Sequence, residues 1–265
     1  MTAHRSLLLA ALVVALPGLA AAESDEAPAA GATRLTAPHR RLVVHALLEL
    51  SLSKDAAGKP ISIAPDVWYG LTPGLTVGLV HSSRALTGIL GGAGDGLCIT
   101  GDSGGCGRFY DHAGLVARVH LRGGRFAVAL DGGLIAGSFD PLALALKVGI
   151  AARWQLGKLA AEVVPSVWLG LTERDAGNIE TMYVPLSVTS ALAPRLAVAG
   201  QVGMVAPFDR FRQEVVIATS VGVQAIVSDQ LVVDVAFSLP HWLDTDRATY
   251  GLDARTFTVG AGRAF

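Results

Sequence analysis

Residues 142–156, LALALKVGIAARWQL, decide how this chain folds. Read by twos, one set is Leu142, Leu144, Leu146, Val148, Ile150, Ala152, Trp154 and Leu156. The other is Ala143, Ala145, Lys147, Gly149, Ala151, Arg153 and Gln155. A strand sends successive side chains to opposite faces, so this alternation predicts one long strand with an apolar face and a small, polar face. The register recurs in 214–227, where Val215, Ile217, Thr219, Val221, Val223 and Ala225 oppose Val216, Ala218, Ser220, Gly222 and Gln224. It recurs again in 231–241, where Leu231, Val233, Val235, Phe237 and Leu239 oppose Asp234, Ala236 and Ser238.

Outward from these, twelve period-two segments run at about 42–53, 60–71, 74–83, 112–122, 125–137, 142–156, 159–172, 181–192, 196–206, 214–227, 231–241 and 254–265. Their connections alternate in kind. LTPG, RGG, LGK, APR and SDQ are short, whereas KDAAGK, segment 84–111, ERDAGNIE, PFDRFRQ and PHWLDTDRATYGLD are longer or more charged; SFDP is the one short member of the second set. Alternating short turns and long loops with an even strand count is the pattern of an up-and-down antiparallel barrel whose two ends meet on the short-turn side.

The charged strand residues Glu49, Asp66, Arg118, Asp131, Lys147, Arg153, Glu162 and Asp234 all fall on the polar face. With 51% hydrophobic and 16% charged residues, and a mean hydropathy of +0.48, the chain is unusually apolar for a secreted protein. No apolar run of about 18 residues follows the N-terminal segment, so membrane-spanning helices are excluded. A soluble barrel would turn the apolar faces inward and leave an exterior made largely of Ala and Gly. A membrane barrel turns them to lipid. The inverted membrane barrel would set the charges against hydrocarbon, at about 2–4 kcal/mol for each basic residue at midplane. A tilted strand of about ten residues spans roughly 25 Å, the height of an outer-membrane apolar band.

The last residues, ARTFTVGAGRAF (254–265), end on Phe265 with apolar residues at alternate positions, apart from Arg263. This resembles the closing strand of bacterial outer-membrane β-barrel proteins of the porin-like kind. The resemblance implies an all-β transmembrane barrel of about twelve strands in the outer membrane, surrounded by its lipid. It also implies that Phe265 acts as the C-terminal signal to the barrel assembly machinery. Residues 1–22 combine His4 and Arg5, an apolar run broken by Pro17, and Ala20–Ala22. They read as a signal peptide, residues 23–39 as a disordered periplasmic tail and 40–265 as the barrel. Export suits a loop disulfide between Cys98 and Cys106; the rival metal reading lacks further ligands nearby. Tyr69, Trp154 and Phe265 near the inner edge, and His241 with Trp242 near the outer, suit interfacial girdles.

The lumen is the candidate site: Glu49, Asp66, Arg118, His120, Asp131, Lys147, Arg153, Glu162 and Asp234 line it. Arg153 is expected to pair with Glu162, and Asp131 to lie diagonal to Arg118 and Lys147. An acidic wall from Glu49, Asp66 and Asp234 would then face a basic one from Arg118, His120, Lys147 and Arg153. Small inward residues such as Gly78, Gly133, Gly149, Gly203, Gly222, Gly260 and Gly262 argue for open space. The function expected is a narrow passive channel for small hydrophilic solutes. Its alternatives are a non-conducting structural or surface-binding barrel and a phospholipase-like membrane hydrolase. A net charge of −1 argues against a nucleic-acid partner, and nothing suggests a cofactor, a metal or a catalytic residue. Gly101–Gly105, GDSGG, looks like a protease nucleophile segment without the rest of that family. His81 and Ser83 resemble the His-x-Ser pair of outer-membrane phospholipase but lack an orienting Asn. Asp95, Asp102 and Asp111 lack the spacing of a calcium loop. Whether 84–111 folds into the lumen or over it is left open by the sequence.

Overall fold

A computed structural model describes residues 35–54, 57–101, 106, 108–211, 213–245 and 251–265. The strands are β1 (Leu42–Ser51), β2 (Ile61–Thr72), β3 (Leu75–Val80), β4 (Gly96–Cys98), β5 (Tyr110–Asp111), β6 (Ala113–Arg122), β7 (Phe126–Phe139) and β8 (Leu142–Leu156). They continue with β9 (Leu159–Val163), β10 (Ser166–Gly170), β11 (Thr181–Ala193), β12 (Leu196–Pro207), β13 (Val216–Ser228), β14 (Leu231–Asp244) and β15 (Thr256–Ala264). Neighbours pair antiparallel, β15 returns to β1, and the sheet closes into a barrel of twelve staves. Three staves are built from two strands each: β3 with β4, β5 with β6, and β9 with β10. The seam is zipped at its inner end, where Phe265 N–H donates to Leu42 O at 2.8 Å. Pro165 interrupts the β9–β10 stave because it has no N–H, and its carbonyl still accepts from Ile150 N–H at 3.0 Å.

Burial fixes the inside and the outside. Leu48, Ile63, Leu79, Leu115, Leu130, Val148, Ile150, Leu186 and Val221 are 37–64% exposed, whereas Glu49, Asp66, Asp131, Lys147 and Asp234 are 2–7% exposed. An apolar outer wall around a charged interior is stable in hydrocarbon and not in water, so this is a transmembrane barrel. The connections at 73–74, 123–125, 157–158, 194–195 and 229–230 are short and share one end with both ends of the described chain, which is therefore the periplasmic end. Tyr69, Trp154 and Phe265 are each 38–53% exposed on the outer wall, and Trp242 is 40% exposed at the opposite end.

The barrel is occupied from below. Residues 35–39, grouped by composition with a tail, seat in its inner mouth. Leu35 is 8% exposed and packs on Ala127, Ala129 and Ala151. Ala37 N–H donates to Thr76 Oγ1 at 2.8 Å, and Arg40 N–H to Gly70 O at 2.7 Å. A Cβ on Gly70 would stand 2.0 Å from Pro38 O, so the close approach requires glycine. The expected signal peptide and most of the expected tail lie outside the described residues.

Candidate functional site

The lumen is crossed by residues 81–95, which leave the wall in the middle of a stave and return to it. Leu79 pairs with Val67 and Leu97 with Ile63, so a single residue opposite Pro65 would make β3 and β4 continuous along β2. The chain instead inserts a segment into the barrel. The wall supplies the groups that a broken ladder leaves unpaired. Asp66 Oδ1 accepts from His81 N–H at 2.7 Å and Ser82 N–H at 3.0 Å, and Oδ2 accepts the Ser82 hydroxyl at 2.5 Å.

Ser82 caps a five-residue helix, α1 (Ser83–Thr87), by accepting from Ala85 N–H at 3.1 Å. Leu86, 1% exposed, drops into a cluster of Val80, Val116, Ile135, Ala145 and Trp168. The helix stops at Gly88, whose φ of 81° a glycine adopts without steric cost. Beyond it the segment reaches the far wall. Gln201 Oε1 accepts from Leu90 N–H at 3.0 Å and its Nε2 donates to Gly88 O at 2.7 Å, while Ser238 Oγ donates to Gly91 O at 3.3 Å. On the way back, Ser62 Oγ accepts from Gly94 N–H at 2.9 Å and donates to Glu49 Oε2 at 2.8 Å. Glu49 Oε2 also accepts from Asp95 N–H at 3.3 Å. Asp95 Oδ2 accepts from Ser83 N–H at 2.9 Å, which ties the outgoing and returning limbs together.

The predicted lumen residues divide by task. Glu49 and Asp66 hold the insertion. Asp234 lies 2.8 Å from His45 Nε2 and 3.2 Å from Arg84 Nη1, the latter carried by α1. Asp131 lies directly across from Arg118, not diagonal to it; Arg118 Nε is 3.3 Å and Lys147 Nζ 2.7 Å from its oxygens. Lys147 Nζ also donates to Ala85 O at 3.5 Å, and Arg118 to Leu35 O at 3.3 Å, with its guanidinium 5.9 Å above the Trp68 ring. Arg153 and Glu162 occupy facing register positions but form no salt bridge, and Arg153 Nε has no hydrogen-bond partner. His120 stands by the inner turn, its main-chain N–H donating to Gly74 O.

Acidic and basic walls therefore do not face each other across open water. The acids are buried beneath their partners, and the cationic side carries the exposure: the Arg84 side chain is 45% exposed and that of its partner Asp234 is 9%. The inward glycines likewise serve a different purpose from the one composition suggests. An added Cβ would meet Trp68 at 2.6 Å from Gly78, Ile89 at 2.6 Å from Gly203 and Asp234 at 2.5 Å from Gly260. They make room for side chains and for the insertion.

Sequence reasoning missed Arg84, Gln201, Ser62 and His45 as parts of the site. A usable signal was present in HSSRALTG, where a capping Ser and a Gly bracket one apolar turn inside what reads as a strand end. Cys98 and Cys106 are joined in a disulfide just beyond the returning limb. His81 and Ser83 are drawn into separate networks. The His81 ring contacts Pro65 O and Tyr110 Oη, whereas Ser83 Oγ accepts from Gly91 N–H at 2.9 Å. No nucleophile–base contact exists between them. Most of the GDSGG stretch, with Asp102, lies outside the described residues, and among the described residues no group of three acidic, His or Cys side chains is placed to hold a metal. On an outer loop, the Arg174 guanidinium holds the Glu180 carboxyl below the usual carboxylate range.

The fold and its lumen define a closed transmembrane β-barrel of the outer-membrane type. Solved structures with this fold include the KdgM porin (TM-score 0.54, 7% identity, covering 84% of this chain and 99% of that one). The NanC porin is similar at TM-score 0.55 and 6% identity, covering 83% and 98%. An outer membrane channel from Pseudomonas putida F1 is similar at TM-score 0.57 and 12% identity, covering 87% and 97%. No protein-family model and no curated protein sequence matches the chain.

Proposed function

We propose that the protein is a passive outer-membrane channel for small hydrophilic solutes, narrowed by the insertion at 81–95. The observation that carries this reading is a segment held inside the lumen by wall residues on several sides, with a half-exposed Arg84 on it. A purely structural barrel has no need of such an arrangement. The three similar structures are two porins and a channel, and they support the reading by fold. Twelve staves leave room for side chains and a small aqueous path, and the insertion restricts that path further. Single-channel recording of the folded protein in planar bilayers tests this. Discrete steps of small conductance are expected, and silence from folded protein refutes conduction.

One observation favours a second reading, a non-conducting barrel acting through its outer loops. Leu47, Val80, Leu86 and Ser238, from different sides of the lumen, are all 0–1% exposed, so much of the middle layer is packed. The same recording separates the two readings.

A further inference from the structure

The inner rim is predominantly basic. Arg40, Arg41, Arg122, Arg125, Lys158, Arg195 and Arg263 stand there, all exposed, with Asp229 the acid among them. The outer connections carry the opposite bias. Lys54, Lys59, Arg108, Arg174, Arg210 and Arg255 are outnumbered there by Asp111, Asp140, Glu173, Asp175, Glu180, Asp209, Glu214, Asp244 and Asp253. The barrel is therefore polarised along its axis, positive toward the periplasm.

Two of the rim arginines sit on the outer wall, where lipid meets water. Arg122 pairs with Val128 in the ladder, on the lipid-facing side of β7, and its guanidinium lies 5.7 Å over the Phe126 ring. Phe126 in turn packs on Trp154, centroids 4.9 Å apart. On the seam, Arg263 follows the outward parity of Phe257 and Val259 and lies 4.9 Å over the Phe265 ring. The departure of Arg263 from an apolar pattern thus has a place in the structure. Neither guanidinium has a carboxylate partner among the described residues. Stacking on a ring leaves the in-plane N–H donors of a guanidinium free, and their fork matches two oxygens of a phosphate. The rings and neighbouring Leu121, Leu156 and Leu159, each 45–67% exposed, fix the depth at the boundary of hydrocarbon and headgroup.

We infer that this rim is a docking surface for anionic phospholipid headgroups of the inner leaflet, with Arg122 and Arg263 as its outward phosphate contacts. The surface serves the barrel whether or not the lumen conducts. The other five basic residues add an attractive field that salt screens within about 10 Å at 0.1 M.

The test is competitive quenching of tryptophan fluorescence in full-length folded protein, in phosphatidylcholine vesicles containing brominated phosphatidylglycerol or brominated phosphatidylcholine. The expected relative affinity for the anionic lipid is about three- to tenfold at low salt. It should fall toward one in R122Q/R263Q and in 0.5 M salt, and stay high in R174Q, whose charge is at the opposite end. A wild-type ratio near one overturns the inference. So does a preference that survives R122Q/R263Q in folded protein, and should that variant not fold, a wild-type preference indifferent to salt does the same. A ratio near one accompanied by rim-dependent binding of polyglutamate would reassign the surface to an acidic protein partner.

Discussion

Asp66 shows why an acid can sit in this wall at 3% exposure. Its two oxygens take three donors from the start of the insertion, so the charge is bound where it is buried, and the main-chain groups that leave the β-ladder are satisfied. Asp66→Ala should cost about 2–4 kcal/mol, since each buried donor left unpaired costs roughly 1–3 kcal/mol. Urea unfolding in vesicles measures it, and noisier open-channel current is expected as the segment loosens. Lys147→Ala is predicted to destabilise by about 3–5 kcal/mol because it strips a fully buried partner from Asp131. Lys147→Met together with Asp131→Leu should recover most of that loss. A double variant as unstable as the single one would show that the pair is needed for more than mutual neutralisation. That these residues face the lumen was legible from parity alone. Asp131 was also expected beside Lys147 and Arg118, but the groups that meet Asp66, Glu49 and Asp234 were not legible: Ser82, Asp95 and Arg84 lie on a segment whose path depends on contacts far apart in sequence.

The insertion is the element that crosses the lumen of this barrel. Both of its ends are fastened in the β2–β3–β4 wall, so it can be removed without removing a stave. Replacing 81–95 with one residue opposite Pro65 should leave a heat-stable barrel of the same strand content, with conductance raised several-fold. Circular dichroism and planar-bilayer recording would check the two halves of that statement, and unchanged conductance would place the restriction elsewhere. The disulfide constrains the loop that follows β4 and is expected to contribute about 2–3 kcal/mol for so short a ring. Cys98→Ser with Cys106→Ser should therefore lower the unfolding midpoint with the barrel intact. Period-two alternation located the staves well, including the turns between them. It read 74–83 as one strand because His81, Ser82 and Ser83 hold no apolar residue whose position could show that the alternation has ended, and a two-residue pairing such as β5 is too short to carry a period.

At the scale of the whole molecule, the lumen's electrostatics follow from which partner of each ion pair is covered. Lys147 and Asp131 are both fully buried and cancel at 2.7 Å, so they add little field to any aqueous path. Arg84 is different: its carboxylate partner is shielded while nearly half of its own side chain meets solvent. The sequence identified the charged faces and could not show this asymmetry, because burial by a segment folded in from the wall leaves no periodic trace. Reversal potentials in a salt gradient distinguish the two cations. Arg84→Gln should move selectivity toward cations, whereas Lys147→Met combined with Asp131→Leu should leave it near the wild-type value. The opposite ranking would mean that the solute path runs on the β6–β8 side of the insertion, past Lys147, and that the packed cluster around Leu86 opens to admit it.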